Sequence, residues 1–109
     1  MRKADIMMFG KLAGYLTEDE DGYTFVYAAD YARDPANLPV SRLLPLQPEP
    51  YHDKRLFPFF DGLIPEGWLL EIAEKTWKLD PRDRMGLLLA TCRDCIGAVS
   101  VVHAGEAPP

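Results

Sequence analysis

The fold of this chain is decided by the stretch Phe59-Phe60-Asp61-Gly62-Leu63-Ile64-Pro65-Glu66-Gly67-Trp68, an aromatic-rich turn that runs directly into an amphipathic segment. Pro65 suits the first position of a helix, because its fixed φ is already helical and its missing N–H would have no partner there. Glu66 then lies near the positive end of the helix dipole. The stretch therefore predicts a turn followed by a helix over residues 65–78.

Trp68 falls outside the apolar side of this predicted helix. With about 100° between successive residues, one polar face is defined by Glu71, Glu74, Lys75 and Lys78. Trp68 lies beside Lys75, roughly 110° from the middle of the apolar stripe, whereas Trp77 lies on the apolar side and is expected in the core. Two interpretations stay open: Trp68 folds back over Phe59 and Phe60, or it is an exposed anchor for a partner protein.

The N-terminal half predicts a β-sheet. Residues 4–9 and 11–17 have the pattern of two short strands, and residues 23–27 form a third that is rich in aromatic and β-branched side chains. Six prolines between residues 33 and 58 forbid a long helix there and limit strand pairing, because proline has no N–H to donate. Residues 42–44 remain a candidate edge segment.

The C-terminal part predicts a second helix that starts at Asp80 as N-cap, with Pro81 at its first position. Its apolar face is spaced i, i+3, i+4, i+7 and consists of Met85, Leu88, Leu89 and Cys92. Residues 98–102 then predict a strand, and residues 103–109 a flexible tail. We therefore expect one α+β domain over residues 1–109, a small antiparallel, partly barrel-like β-sheet packed with two to three α-helices.

Composition excludes several classes of function. The net charge is -5 and Lys and Arg are spread along the chain, so no basic stripe is available for direct nucleic-acid binding. No apolar run approaches the ~18 residues needed to span a bilayer, and no secretory signal is visible. The expectation is a cytoplasmic protein that does not insert into membranes.

The residues for kinase chemistry are absent. A kinase catalytic loop needs an Asp with a metal-binding Asn five positions later, but the chain's one Asn is Asn37 and position 32 is Ala32. Cys92 and Cys95 have Cys-x-x-Cys spacing, yet Cys92 falls at a predicted helix C-terminus, where a thiolate is disfavoured. We therefore predict no enzyme activity, no cofactor and no metal site, and interpret both cysteines as small buried hydrophobic residues.

Two motifs carry a family resemblance. The stretch 59–67, together with Arg93-Asp94-Cys95-Ile96-Gly97-Ala98-Val99, resembles the N-terminal subdomain of HipA-type toxin kinases, and weaker similarity extends over nearly the whole chain. One departure is Cys92, which stands where the family usually has a glycine. If that glycine is a helix C′ residue with positive φ, Cys92 implies a different helix end.

The resemblance implies a function in toxin–antitoxin systems. In longer relatives the subdomain precedes a serine/threonine kinase core, and a HipB-type helix-turn-helix protein neutralises the toxin. A chain with this subdomain alone resembles HipS, the small antitoxin of tripartite HipBST systems, whose kinase HipT is a separate protein. The resemblance implies that the chain binds and inhibits a HipT- or HipA-like kinase, with a HipB-like protein in a larger complex. Trp68 would contact the kinase, supported by Phe59, Asp61 and Glu66.

Two other interpretations compete with this one. The chain could be the N-terminal structural lobe of a one-chain HipA kinase, without independent antitoxin activity. It could also be a Cys-x-x-Cys oxidoreductase, which requires a reactive, exposed thiol at Cys92.

Overall fold

The structure is a computed structural model that describes residues 2–64, 82–92 and 98–103. Its strands are β1 (Arg2–Met8), β2 (Lys11–Asp19), β3 (Gly22–Tyr27), β4 (Tyr51–Asp53) and β5 (Val99–His103). Its helices are α1 (Ala29–Arg33), α2 (Pro58–Asp61) and α3 (Arg84–Thr91). The strands form one antiparallel sheet in the order β4-β3-β2-β1-β5. The α+β class is confirmed, and the sheet stays open, with β4 and β5 at its edges.

Alternating burial in the central strands builds one wall of the core. In β1, Ala4, Ile6 and Met8 are buried while the residues between them are partly exposed, the period of two expected of a half-buried strand. The register with β2 shifts between Ile6 and Met7. Gly14, in β2, lies opposite Ile6 at this shift. There is no room for a side chain at this position, because a Cβ there would lie 2.5 Å from the carbonyl oxygen of Val26.

Helix α3 covers the other side of the core. The predicted apolar face is confirmed, since Met85, Leu88, Leu89 and Cys92 are all buried, and Leu87 joins them. The predicted start was wrong: the helix begins at Arg84, and its N-cap is Asp83, whose carboxylate accepts the N–H of Gly86 at 3.1 Å. Asp80 and Pro81 lie outside the described residues, as does the helix predicted over 65–78.

The part of the proline-rich segment that precedes β4 is held mainly by tyrosine hydroxyls. The hydroxyl of Tyr27 donates to the carbonyl of Leu44 and accepts the N–H of Val40 at 3.0 Å. Tyr31, in α1, donates to the carbonyl of Leu38 at 2.5 Å. Of the predicted edge segment 42–44, only Leu44 pairs, in a single bridge with Ser41. The irregular chain is thus tied to the sheet by side chains that satisfy its carbonyls.

Three details differ from the sequence expectation. Neither α1 nor β4 was predicted; β4 exists because residues 51–53 pair with β3. His103 was expected to begin the tail but is the last residue of β5, where its backbone pairs with Ala4.

Within the described ranges, no helix is long and apolar enough to cross a membrane.

Candidate partner-binding surface

Phe59 and Asp61, two of the four predicted contact residues, lie on the single turn of helix α2. Pro58 occupies its first position, and the turn is closed by hydrogen bonds from the Asp61 N–H to the Phe57 carbonyl at 3.0 Å and from Gly62 to Pro58 at 2.9 Å. Proline is favoured at this position because its φ is already helical. The aromatic-rich turn of the sequence is therefore a short helix that fixes the direction of both side chains.

Phe59 is half-buried, with its ring against the core. Its ring centroid lies 5.2 Å from that of the fully buried Phe60, in an edge-to-face arrangement, and Phe60 in turn lies 5.3 Å from Phe25. Such aromatic pairs stabilise a core by about 0.5–1.5 kcal/mol beyond burial. Phe59 thus has one side in the core and another available to a partner.

Asp61 links α2 to α3. Its carboxylate accepts a hydrogen bond from Nε of Arg84, the first residue of α3, at 2.6 Å, and the side chain of Asp61 remains 43% exposed. An ion pair this exposed adds about 1 kcal/mol or less to stability. Its main effect is to fix the position of a carboxylate beside the aromatic turn.

A chain of charged groups holds the start of α3 on the sheet. The guanidinium of Arg2 hydrogen-bonds both to Asp83 and to Glu18, and Glu18 also accepts the hydroxyl of Tyr23 at 3.1 Å. The hydrogen bonds from Arg2 and from the Gly86 N–H hold the pKa of Asp83 below its ordinary value, while burial and then Glu18 raise the pKa of Tyr23 to about 12. At neutral pH, Asp83 is therefore ionised and Tyr23 is neutral.

An open cleft of about 510 Å³ lies beside α2. It is lined by Tyr23, Lys54, Arg55, Leu56, Pro58, Asp61 and Arg84. Lys54 and Arg55 are exposed, so the cleft presents cations next to the predicted contact residue Asp61. These cations were not predicted from the sequence, in which the adjacency of Lys54 and Arg55 is the one local signal for them.

The other two predicted contact residues, Glu66 and Trp68, lie outside the described residues. The orientation of Trp68 relative to Phe59 and Phe60 therefore stays a prediction. Among the four residues, the structure positions Phe59 and Asp61 two residues apart on one turn, the first against the core and the second against α3.

The environment of Cys92 does not resemble a redox site. Its side chain is fully buried, and its Sγ donates to the carbonyl of Leu63 at 3.2 Å. A reactive thiol is instead typically exposed and near a positive group. Across residues 2–64, 82–92 and 98–103, no group of three or more His, Cys, Asp or Glu side chains is arranged to hold a metal ion.

A family model described as the HipA N-terminal domain matches residues 4–102. The chain belongs to the HipA N-terminal domain family. It is 33% identical over 101 residues to an uncharacterized protein of Haemophilus influenzae, covering 93% of this chain and 92% of that protein. It is also 28% identical over 109 residues to the putative kinase Y4mE of Sinorhizobium fredii, covering 99% of this chain but 26% of that protein.

Solved structures of HipA proteins share the fold. A structure described as the N-terminal domain of HipA toxin matches with a TM-score of 0.75 and 29% identity, covering 98% of this chain and 96% of that one. HipA of Shewanella oneidensis MR-1, in a complex with HipB and operator DNA, also matches with a TM-score of 0.75, at 22% identity and over 25% of its chain. The matched region is the N-terminal domain of the HipA proteins and not their kinase domain. The two solved structures are described as part of a HipA toxin and as part of a toxin–antitoxin system.

Proposed function

We propose that this HipA N-terminal domain acts as an antitoxin of a type II toxin–antitoxin system, binding and inhibiting a HipT- or HipA-like serine/threonine kinase by protein–protein contact. One observation carries the proposal. The Haemophilus influenzae relative is matched over 92% of its length and so contains little besides this domain, whereas in Y4mE the domain is 26% of a putative kinase. We infer that one surface of this domain contacts the rest of the kinase in the longer protein, and that the same surface binds a separate kinase when the domain is a protein of its own.

The contact surface of this proposal centres on α2. Phe59 supplies a partly exposed ring held by Phe60, and Asp61 supplies a carboxylate held by Arg84. Rigid side chains lose little entropy on binding, which favours affinity. Trp68 is the proposed anchor, with Glu66 beside it, and inhibition is steric or conformational because the chain supplies no catalytic group. A HipB-like helix-turn-helix protein would join the complex and bring the DNA contact, all within the cytoplasm.

The test uses a HipA-type kinase that lacks this domain. Co-expression should rescue growth of cells that carry the kinase, and the purified domain should suppress autophosphorylation in proportion to its concentration. Trp68→Ala should weaken binding by at least ~2 kcal/mol in calorimetry if Trp68 is a hot spot. The control is Leu43→Ser, which removes an apolar side chain that is 75% exposed and lies outside the contact surface.

The second candidate function is a structural lobe of a one-chain HipA kinase. The match to Y4mE favours it, since there the domain is one quarter of a longer protein. In that case the domain would co-purify with a kinase core but would neither rescue growth nor lower autophosphorylation. That result would replace the antitoxin proposal with the structural one.

A further inference from the structure

The turn between β1 and β2 places a large aromatic residue in an unfavourable backbone conformation. Phe9 and Gly10 connect the paired residues Met8 and Lys11, with φ of 51° and 77°. Two-residue turns with positive φ at both positions favour Asn, Asp or Gly, because a bulky side chain is strained there. Within the described ranges, Phe9 is the one non-glycine residue with positive φ.

Phe9 also contributes little to the core. Its side chain is 76% exposed, so the strain is not offset by burial within the domain. Leu38, which is 61% exposed, lies on the same pocket. Backbone strain in an exposed apolar residue is a frequent mark of a functional contact.

The pocket at this turn has a volume of about 190 Å³. It is lined by Met8, Phe9, Lys11, Tyr31, Ala36, Asn37 and Leu38. Sites for drug-sized ligands and cofactors usually have volumes of about 300–1,000 Å³, so this pocket is too small for them. Its size suits one large side chain of another protein.

Hydrogen bonds hold the wall of the pocket rigid. Tyr31 donates to the Leu38 carbonyl at 2.5 Å, and the side-chain amide of Asn37 donates to the Tyr31 carbonyl at 3.1 Å. The backbone N–H of Asn37 donates to the Asp34 carbonyl at 3.0 Å. The loop that carries Leu38 is therefore already ordered, which lowers the entropic penalty of binding.

The rim of the pocket carries a positive charge. Lys11 is the one charged residue among the described lining residues, and its Nζ donates to Oδ1 of Asn37 at 3.3 Å without an ion pair to a described carboxylate. A lysine without a carboxylate partner among the described residues favours an acidic group at that edge of a bound partner.

We propose that this pocket is a docking site for a segment of a partner protein that inserts one large apolar side chain beside a carboxylate. The pocket and the α2 surface are different sites. Arg2, which binds the start of α3, is the first residue of β1, and Phe9 directly follows the last one. At ~3.3 Å per residue, the two ends of the strand are roughly 23 Å apart. The inference does not depend on kinase inhibition.

The test uses the full chain and a displayed library of random peptides as probe. Selection should enrich peptides with a Leu, Met or Phe next to Asp or Glu. Phe9→Asn and Leu38→Ser should each weaken the best peptide by at least about tenfold, and Lys11→Gln should remove the preference for the acidic residue. Leu43→Ser, a change in a leucine that is 75% exposed outside this pocket, should leave binding unchanged.

Phe9→Asn also separates this role from a structural one. Asn-Gly is favoured in such turns, so this variant should fold with an equal or higher melting temperature while losing the peptide. A clear fall in melting temperature would assign Phe9 to the fold and overturn the proposal. Unchanged peptide affinity in Phe9→Asn, enrichment without the apolar-acidic pattern, or self-association through Phe9 in light scattering would overturn it equally.

Discussion

The guanidinium of Arg2 forms two hydrogen bonds with the carboxylate of Asp83, at 2.9 and 2.5 Å, and so joins the first residue of β1 to the N-cap of α3. Asp83 has two functions at once, because it also accepts the N–H of Gly86. One carboxylate therefore both caps α3 and ties its start to the sheet.

Replacing Asp83 should destabilise the domain more than an ordinary surface change does. Asp83→Ala removes both the helix cap and the bidentate pair, and we expect the free energy of unfolding to fall by about 1–3 kcal/mol in urea denaturation. Asp30→Ala, which breaks the exposed pair with Arg33, should change it by less than about 0.5 kcal/mol. Equal losses in the two variants would show that Asp83 is not the anchor of α3.

Acid should weaken this link. The pKa of Asp83 is lowered in the folded state, so its contribution to stability is complete above the unfolded value of about 3.9 and is lost as pH falls through the lower folded value. Asp83→Asn and Arg2→Gln should both flatten the fall in melting temperature below about pH 4. A wild-type slope in Arg2→Gln would contradict the role of the guanidinium as the main cause.

At alkaline pH, ionisation of Tyr23 should lower the stability of the domain. Its pKa is raised to about 12 in the folded state, above the unfolded value of about 10. The neutral phenol is thus favoured by folding, and this stability is complete below about pH 10 and lost as pH rises towards 12. Tyr23→Phe should reduce the fall in melting temperature in that range, although Tyr27, with a pKa also raised to about 12, keeps part of it.

Two glycines should respond differently to alanine. Gly14→Ala should lower the free energy of unfolding by more than about 2 kcal/mol, because the new Cβ would meet the Val26 carbonyl oxygen at 2.5 Å. Gly10→Ala meets no atom within 4 Å, so only its positive φ opposes the change, at about 1–2 kcal/mol. Calorimetric unfolding of both variants gives the comparison.

Thiol labelling tests the oxidoreductase interpretation. In a Cys95→Ser variant, Cys92 is the remaining cysteine, and because it is buried it should react with a colorimetric thiol reagent only when the protein is unfolded in urea. Rapid reaction of the native protein would restore a redox role to the Cys-x-x-Cys spacing.

The parts of the fold with local signals were predictable. Strands β1, β2 and β3 have alternating or β-branched sequences, and the α3 face has helical spacing. The three-residue β4 and five-residue α1 are too short for a periodic signal and depend on tertiary contacts. Asp83, the N-cap of α3, is also bound by Arg2, which lies 81 residues away and gives no signal in the sequence around the helix.

The candidate site was predictable only in part for the same reason. Phe59 and Asp61 belong to a recognisable motif, but Arg84 and the cations of the cleft reach it from elsewhere in the sequence. Phe9 could have been noticed from Phe-Gly at a hairpin turn, where Asn-Gly is the favoured pair. Its exposure required the structure.

The pairing of β1 with β5 has a consequence for synthesis of the protein. Ala4 lies opposite His103 and Ile6 opposite Val101. Strand β1 is therefore synthesised well before β5, the strand that pairs with one of its edges. Contacts this distant in sequence are formed late and slowly. One edge of β1 therefore stays without its partner strand until the C-terminal part of the domain has been synthesised.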